Sequence, residues 1–436
     1  MIEISQAKII SFNNENERIC SSAARISTTE GNAIEIIKKS DDLQKNRNLI
    51  KNVLKSGHKS IIEHAVFTIA FCNVSVYVEQ FLIEFRLASF TVKSRRYVNF
   101  GKMGYYIPQN IDNDTKKLYI NHMDYLFSEY NYLLENNIPK EDARFVLPYS
   151  FFSNFYCTVN ARELIHILNS MLYGRGKNIE EINNLAKQIV EQLENIAPSI
   201  LTELKEENSI YQCKDYDGHK SKKEEVQSVV KMIDSPKNPK LSLLVPYNLY
   251  HGVNENFIDE IVHSSRNREL EFLNYTFEIK NVSLSGITHF TRHRIQSLIV
   301  PPLCNADGYI IPDSIKNNNE ILKRYISVFE KTKSIINKLQ TMNKNILIYL
   351  ILSGNTLDIL LSMNSRELLT FFKLRCCERA QWEIRNIAKD MLKCVKENFP
   401  ELFNKFGPSC VVNNKCPEGR LSCGHMNEII EEFRHQ

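Results

Sequence analysis

The chain has 436 residues, 43% hydrophobic and 24% charged, which suits two soluble domains of ordinary composition and exceeds one typical domain. Its net charge of +4 is too small to imply a nucleic-acid or membrane partner. Apolar runs such as Ile346 to Leu352 fall far short of the roughly 20 residues a spanning helix needs, and the opening MIEISQAKII lacks a signal-peptide pattern, so a soluble cytoplasmic protein is expected.

In chain order, Ser60-Ile-Ile-Glu63-His64 comes first, as either a structural hydrogen-bonding pair or an acid–base pair. Ala65 to Val78, rich in Val, Phe and Ile, predicts a buried strand or strand pair. Arg86-x-x-Ser89 and Ser94-Arg95-Arg96-Tyr97 follow. A serine and an arginine two residues apart can hold one phosphate, although the same residues also suit an exposed polar strand. Asn160-x-x-Glu163 matches a capping box: the asparagine satisfies free backbone N–H groups, the glutamate reaches back, and a helix starts just after. Asp215 to Lys240, with Ser235-Pro236 and Asn238-Pro239, reads as a linker.

Arg292-His293-Arg294 then sets three basic side chains side by side, either to receive an anion or as a solvated basic turn. Lys316 to Glu320 reads as a loop. Asn364-x-x-Glu367 repeats the capping box and starts a helix expected from about Ser365 to about Asn398, with Leu368, Phe372, Ile384, Ile387, Met391 and Val395 at mostly helical spacing. Arg375 lies on that helix, where pairing among Arg375, Glu378 and Arg379 is the plain alternative to a functional role. Of the 11 cysteines, Cys410, Cys416 and Cys423 crowd near the end with His425 close by. They are weak zinc candidates, because their gaps exceed the usual spacing of paired ligands. The odd count and scatter argue against a secreted disulfide framework. There is no G-x-G-x-x-G, Walker loop, H-E-x-x-H or G-x-S-x-G, so any nucleotide cofactor is held without a Rossmann turn.

A long-period repeat organises these motifs. Asn160-Ala-Arg162-Glu-Leu-Ile recurs as Asn364-Ser-Arg366-Glu-Leu-Leu, and Phe85-Arg86-Leu-Ala-Ser recurs as His293-Arg294-Ile-Gln-Ser, in the same order and at a nearly constant offset. A gene duplication leaves that pattern, whereas a solenoid repeats every 20–50 residues. The expected division is a first repeat over 1–214, a linker over 215–240, and a second repeat with a Cys-containing tail over 241–436.

Taken together, the motifs resemble the flavin-dependent thymidylate synthase family: Arg-His-Arg-x-x-Ser, Ser-x-Arg-Tyr, an upstream Ser-x-x-Glu-His, a V-L-P segment, T-V-N-A-R and a helix carrying L-R…A-Q-W-E-I. The first half matches at Ser60 to His64, Ser94 to Tyr97, Ala143 to Pro148 and Thr158 to His166. Its Arg-His-Arg reads Glu84-Phe85-Arg86, its helix arginine falls on Met171, and its A-Q-W-E-I region has decayed to Gly176–Glu180. The second half matches at Arg292 to Arg294 and from Asn364 through Arg375 to Ile384. Its Ser-x-Arg positions are Pro302 and Cys304, its Glu-His positions read as apolar, and its V-L-P arginine falls on Ile348. The tail from Gly407 to Gly424 also resembles the C-terminal extension of some members.

The resemblance implies an α+β fold, two tandem copies of the family fold with a mixed sheet and long helices. It implies FAD as cofactor, dUMP as substrate, and methylenetetrahydrofolate and NADPH as cosubstrates, with no enzyme nucleophile. Ser94, Arg96, Arg144, His289 and Arg375 would hold dUMP. Ser60, Asn160, Arg162, His166, Arg292, His293 and Arg294 would hold FAD, with Asn364 and Arg366 at a second contact. Arg292, His293 and Arg375 would serve the reaction. The family builds its site between subunits of a homotetramer, and the two halves here have lost complementary residues, so the expectation is a composite site in a homodimer that mimics the tetramer. Phe81, His289 and Val92 depart from the family pattern and leave open a related flavoenzyme for another pyrimidine nucleotide. A non-catalytic paralogue is the third reading.

Overall fold

The computed structural model describes residues 4–205, 224–252, 254–342 and 344–435. The first repeat supplies strands β1 (Gln6–Phe12) and β2 (Val66–Ser75), helix α1 (Val76–Ile83), β3 (Ser89–Val92), α2 (Asn113–Glu135), β4 (Phe152–Asn160), α3 (Ala161–Leu172) and α4 (Glu180–Ile196). The second supplies β5 (Val229–Asp234), β6 (Asn274–Ser283), α5 (Leu284–Phe290), β7 (Gln296–Ile299), α6 (Asn319–Gln340), β8 (Thr356–Asn364), α7 (Ser365–Arg375) and α8 (Trp382–Asn398). The class is α+β, with two four-stranded sheets ordered β1-β2-β4-β3 and β5-β6-β8-β7. Within each sheet the pairing is antiparallel rather than mixed. Antiparallel ladders tolerate one solvated face, and burial alternates along β4 and β8 as that arrangement requires.

The repeats agree in register as well as order. β2 pairs with β4 from Val66 opposite Asn160, and β6 pairs with β8 from Asn274 opposite Asn364. Both ladders slip at the same place, after Phe71 and after Ile279. Each slip holds an asparagine in the left-handed region, Asn73 at φ 50° and Asn281 at φ 55°, a conformation asparagine tolerates better than most residues. The Asn73 amide donates to Asn154 Oδ1 (3.0 Å) and the Asn281 amide to Asp358 Oδ1 (2.8 Å).

A buried carboxylate closes each half at the strand end. Ser75 caps α1 and Ser283 caps α5 through their hydroxyls. Glu181 accepts from the Ser75 amide (2.8 Å) and from Ser5 Oγ (2.7 Å). Glu383 accepts from the Ser283 amide (2.7 Å) and hydroxyl (2.5 Å). Burial pushes the Glu181 carboxyl above its usual range, against the opposing pull of those hydrogen bonds.

Several expectations are corrected. Residues 65–78 are a strand only as far as Ser75, because the Ser75 cap starts a helix there. The helix expected from Ser365 to Asn398 is two helices: α7 ends at Arg375, and Gln381 starts α8 by accepting from the Ile384 amide. Lys316 and Asn319 already belong to helices, leaving only residues 317 and 318 as loop. Residues 215–223 of the expected linker lie outside the described residues, while 229–234 form β5, whose apolar residues pair with β6.

Chain contacts define two compact units, Met1–Lys220 with Asp313–Ser353, and Ser221–Pro312 with Gly354–Gln436. A piece of the second repeat thus completes the first unit. There α6 packs on α2: Arg324 pairs with Glu129 (2.5 Å) and lies 3.6 Å from the Tyr132 ring centroid, and His122 Nε2 meets Thr332 Oγ1 at 3.1 Å. The V-L-P segment pairs with its own counterpart, the Tyr149 amide donating to Ile351 O (2.8 Å) and the Ser353 amide to Leu147 O (2.9 Å). Among the described residues no helix is long and apolar enough to cross a membrane.

Removing the Glu383 carboxylate leaves the buried Ser283 amide without its acceptor, so Glu383→Ala is expected to lose about 2–3 kcal/mol, read as a lower guanidinium midpoint. His122 is pushed down to about 4 by burial and, second, by Lys331. The unfolded chain takes up that proton near pH 6.5, so stability present above pH about 6.5 is lost as the pH falls toward 4. His122→Gln is expected to flatten that part of the stability–pH curve.

Candidate functional site

In the second unit the capping asparagine sets the site. Asn364 Oδ1 accepts from the Glu367 amide (2.9 Å) and starts α7 as expected. The Glu367 side chain does not reach back to the cap. It turns inward and meets His293 Nδ1 at 2.7 Å. His293 is 5% exposed and Glu367 9%. Arg375, at the far end of α7, donates from Nε to His293 Nε2 (3.2 Å) and from Nη2 to the His289 carbonyl (3.4 Å). The Phe371 ring stands edge-on to His293 at 5.0 Å. Burial holds the His293 imidazole below the ordinary histidine range, the Glu367 hydrogen bond opposes this, and the Arg375 charge adds to it. Arg292 and Arg294 flank His293 on the exposed side. The structure thus brings together His289, His293 and Arg375, and adds Glu367, which the sequence reading had assigned to the cap.

In the first unit the anion-binding candidates gather around one acidic residue. Arg96 Nε donates to the Glu141 carboxylate (2.6 Å) and Arg144 Nε to the Glu141 carbonyl (3.1 Å). Ser94 Oγ accepts from the Arg96 amide (3.3 Å), which folds the Ser-x-Arg segment into a turn. Arg144 is 3% exposed. Arg95 points away from this group and is buried against Glu79. Glu141, three residues before Arg144, joins these candidates without any signal in the sequence marking it.

The first unit also holds a cleft of about 870 Å³ lined by Asn160, Arg162 and His166 with Lys59, Arg86 and Glu63. Ser60, in the adjoining 3-10 turn, is exposed and does not line it. Arg162 pairs with Glu63 at 2.6 Å. The second unit repeats this pair as Arg366 with Glu271 (2.5 Å), Arg366 also donating to Asn267 (3.0 Å). The glutamate position of the second repeat is therefore Glu271, not apolar, and only its histidine neighbour has become Phe272. Likewise the buried glutamate of the A-Q-W-E-I region survives in the first repeat as Glu181. The window Gly176–Glu180 puts the motif glutamate on Ile179, two residues short of it.

The residues that replace the His293 group in the first unit close on themselves. Phe85 stands at the His293 position and Met171 at that of Arg375. Arg175, one turn later, donates to the Phe81 carbonyl (2.8 Å) and pairs with Glu84 (2.5 Å), its guanidinium 4.2 Å from the Phe81 ring centroid. Among the described residues no three His, Cys, Asp or Glu side chains are grouped to hold a metal ion, Cys410, Cys416 and Cys423 included.

A family model described as thymidylate synthase complementing protein matches the chain twice, over residues 8–199 and 207–401. Similar proteins include a flavin-dependent thymidylate synthase of Clostridium tetani, 32% identical over 195 residues that cover 40% of this chain and 78% of the relative. Another, from Geobacter sulfurreducens, is 32% identical over 186 residues, covering 41% of this chain and 80% of the relative. A solved UMP/dUMP methylase from Streptomyces cacaoi aligns at 24% identity over 46% of this chain and 94% of its own, with a TM-score of 0.38, a likeness that decides nothing further. Two consecutive matches to one family model, falling on two halves with the same strand order and the same bulge, show that the chain belongs to the flavin-dependent thymidylate synthase family as a tandem duplicated member.

Proposed function

We propose that the chain reductively methylates dUMP to dTMP, with FAD as cofactor, methylenetetrahydrofolate as one-carbon donor and NADPH as reductant. The site would be composite, joining residues of a first repeat to residues of a second. One observation carries this reading: each repeat keeps a built group where the other has lost it. Arg96 and Arg144 meet at Glu141 in the first, with Ser94 bonded to the Arg96 amide, where the second has Pro302, Cys304 and Ile348. His293 and Arg375 are linked in the second, where the first has Phe85 and Met171.

In this reading Ser94, Arg96, Arg144 and Arg375 hold the dUMP phosphate and ring, a dianion that wants several charge-assisted donors. His289 lies at the ring-facing position, and Arg292, His293 and Arg294 span nucleotide and cofactor. The donor set of the 870 Å³ cleft, Asn160, Arg162 and His166 with Lys59 and Arg86, suits a dinucleotide's pyrophosphate and polar rim. Ser60, Asn364 and Arg366 would add further contacts. When bound, the flavin supplies the reducing equivalents the methyl transfer needs. The protein excludes water, orients the nucleotide and places positive charge where the pyrimidine becomes electron-rich. His293, whose Nε2 accepts from Arg375 Nε, offers it a lone pair rather than a competing donor. The assembly would be a homodimer with half the sites of a family homotetramer.

Purified protein is expected to absorb at about 450 nm as flavoproteins do, and NADPH is expected to bleach it at a rate that responds to dUMP. A chain that takes up no FAD when FAD is supplied would sink this reading in favour of a degenerate paralogue. Arg375→Ala and Arg144→Ala are each expected to weaken dUMP binding about 10- to 100-fold, the range of one lost charge-assisted hydrogen bond, in a dUMP titration of the flavin-loaded protein.

A further inference from the structure

Glu367 is buried, and its carboxylate is aimed at the most buried member of the basic triplet. Arginine can only donate, so the contact from Arg375 Nε requires His293 Nε2 to be the accepting nitrogen. The proton of the neutral ring then sits on Nδ1 and is donated to Glu367 Oε1 at 2.7 Å. We infer that Glu367 is a positioning residue: it fixes the Nδ1–H tautomer of His293 and thereby the direction in which Arg375 presents its guanidinium to the nucleotide. The identity of that nucleotide as dUMP rests on the function proposed above, whereas the tautomer relay does not.

The first repeat supplies an internal control. Glu163 occupies the Glu367 position and caps nothing with its side chain, as in the second repeat. With Phe85 in place of histidine and Met171 in place of arginine, it has no relay to hold, and its nearest partner is His166 on its own helix, at 3.4 Å. Phe85 keeps the aromatic shape of the position and packs edge-on against His166 at 5.2 Å. Histidine and arginine have thus gone together, as members of one hydrogen-bonded chain would, while the carboxylate remains, satisfying a local partner.

Without the carboxylate, His293 is free to take the Nε2–H tautomer that imidazole favours in water. Two donors, Nε2–H and Arg375 Nε–H, would then face each other, and Arg375 would swing away. The test is long-range ¹H–¹⁵N correlation of the full chain labelled at histidine, with His293→Gln to assign the signal, alongside a dUMP titration of the flavin-loaded protein. The Nδ1–H tautomer is expected in the unaltered chain and the Nε2–H form in Glu367→Ala, with dUMP binding about tenfold weaker (about 1.4 kcal/mol). Glu367→Gln, whose amide oxygen still accepts from Nδ1–H, is expected to restore both the tautomer and the affinity. Retention of the Nδ1–H tautomer in folded Glu367→Ala would overturn the inference, as would unaltered dUMP affinity in Glu367→Ala when Arg375→Ala weakens it. An unaltered chain that binds flavin but no dUMP would instead overturn the substrate reading, and the tautomer comparison would still decide the role of Glu367.

Discussion

The basic triplet and the helix arginine of the second unit are tied together through one carboxylate buried at the start of a helix. Glu383 takes both the amide and the hydroxyl of Ser283, and Ser283 in turn caps the short helix that carries His289 and runs into the Arg292–Arg294 triplet. The same glutamate lies on the second residue of α8, just after the turn that follows Arg375. One contact therefore fixes the basic triplet and the helix arginine relative to each other. A buried carboxylate is expensive unless its oxygens are satisfied, so the arrangement tolerates little slack, and the precision needed to bring Arg375 to His293 follows from it. Glu181 performs the same service at Ser75 in the first unit, which explains why that residue persists although the site around it has been dismantled.

Much of this was legible in the residues. The twofold recurrence of Asn-x-Arg-Glu located both helix starts to the residue, because an asparagine cap is a local interaction written in adjacent positions. The basic triplet and the Ser-x-Arg segment were visible for the same reason. What could not be read was where the glutamate of each cap would spend its side chain. A capping box and an inward-facing carboxylate share one sequence pattern, and only the fold, which brings His293 to Glu367, separates them. The break between α7 and α8 was hidden too, since Leu368 and Phe372 before it and Ile384, Ile387, Met391 and Val395 after it each keep helical spacing. Glu181 and Glu271 were missed because insertions of a few residues shift the repeat register outside its core strands, and only the ladder pairing restores it.

The duplicated halves differ in a way that separates folding from chemistry. Strand order, bulge, left-handed asparagine and buried carboxylate are retained twice, as each is needed for a half to fold. The Ser94, Arg96 and Arg144 group and the linked pair His293 and Arg375 are each retained once. In the first unit the vacated position is not left empty: Arg175 and Glu84 neutralise each other against Phe81. That pairing leaves neither charge isolated in a half-buried wall.

The helix Asn319–Gln340 has a further consequence. It is encoded in the second repeat but packs its apolar face into the first unit, against Asn113–Glu135. Duplicated genes can in principle separate again and share their labours as two products. Here neither product would carry a whole unit, since one would lack a wall of its core and the other would trail an orphan amphipathic helix. Fusion has become entrenched, and natural selection can refine the two halves only together.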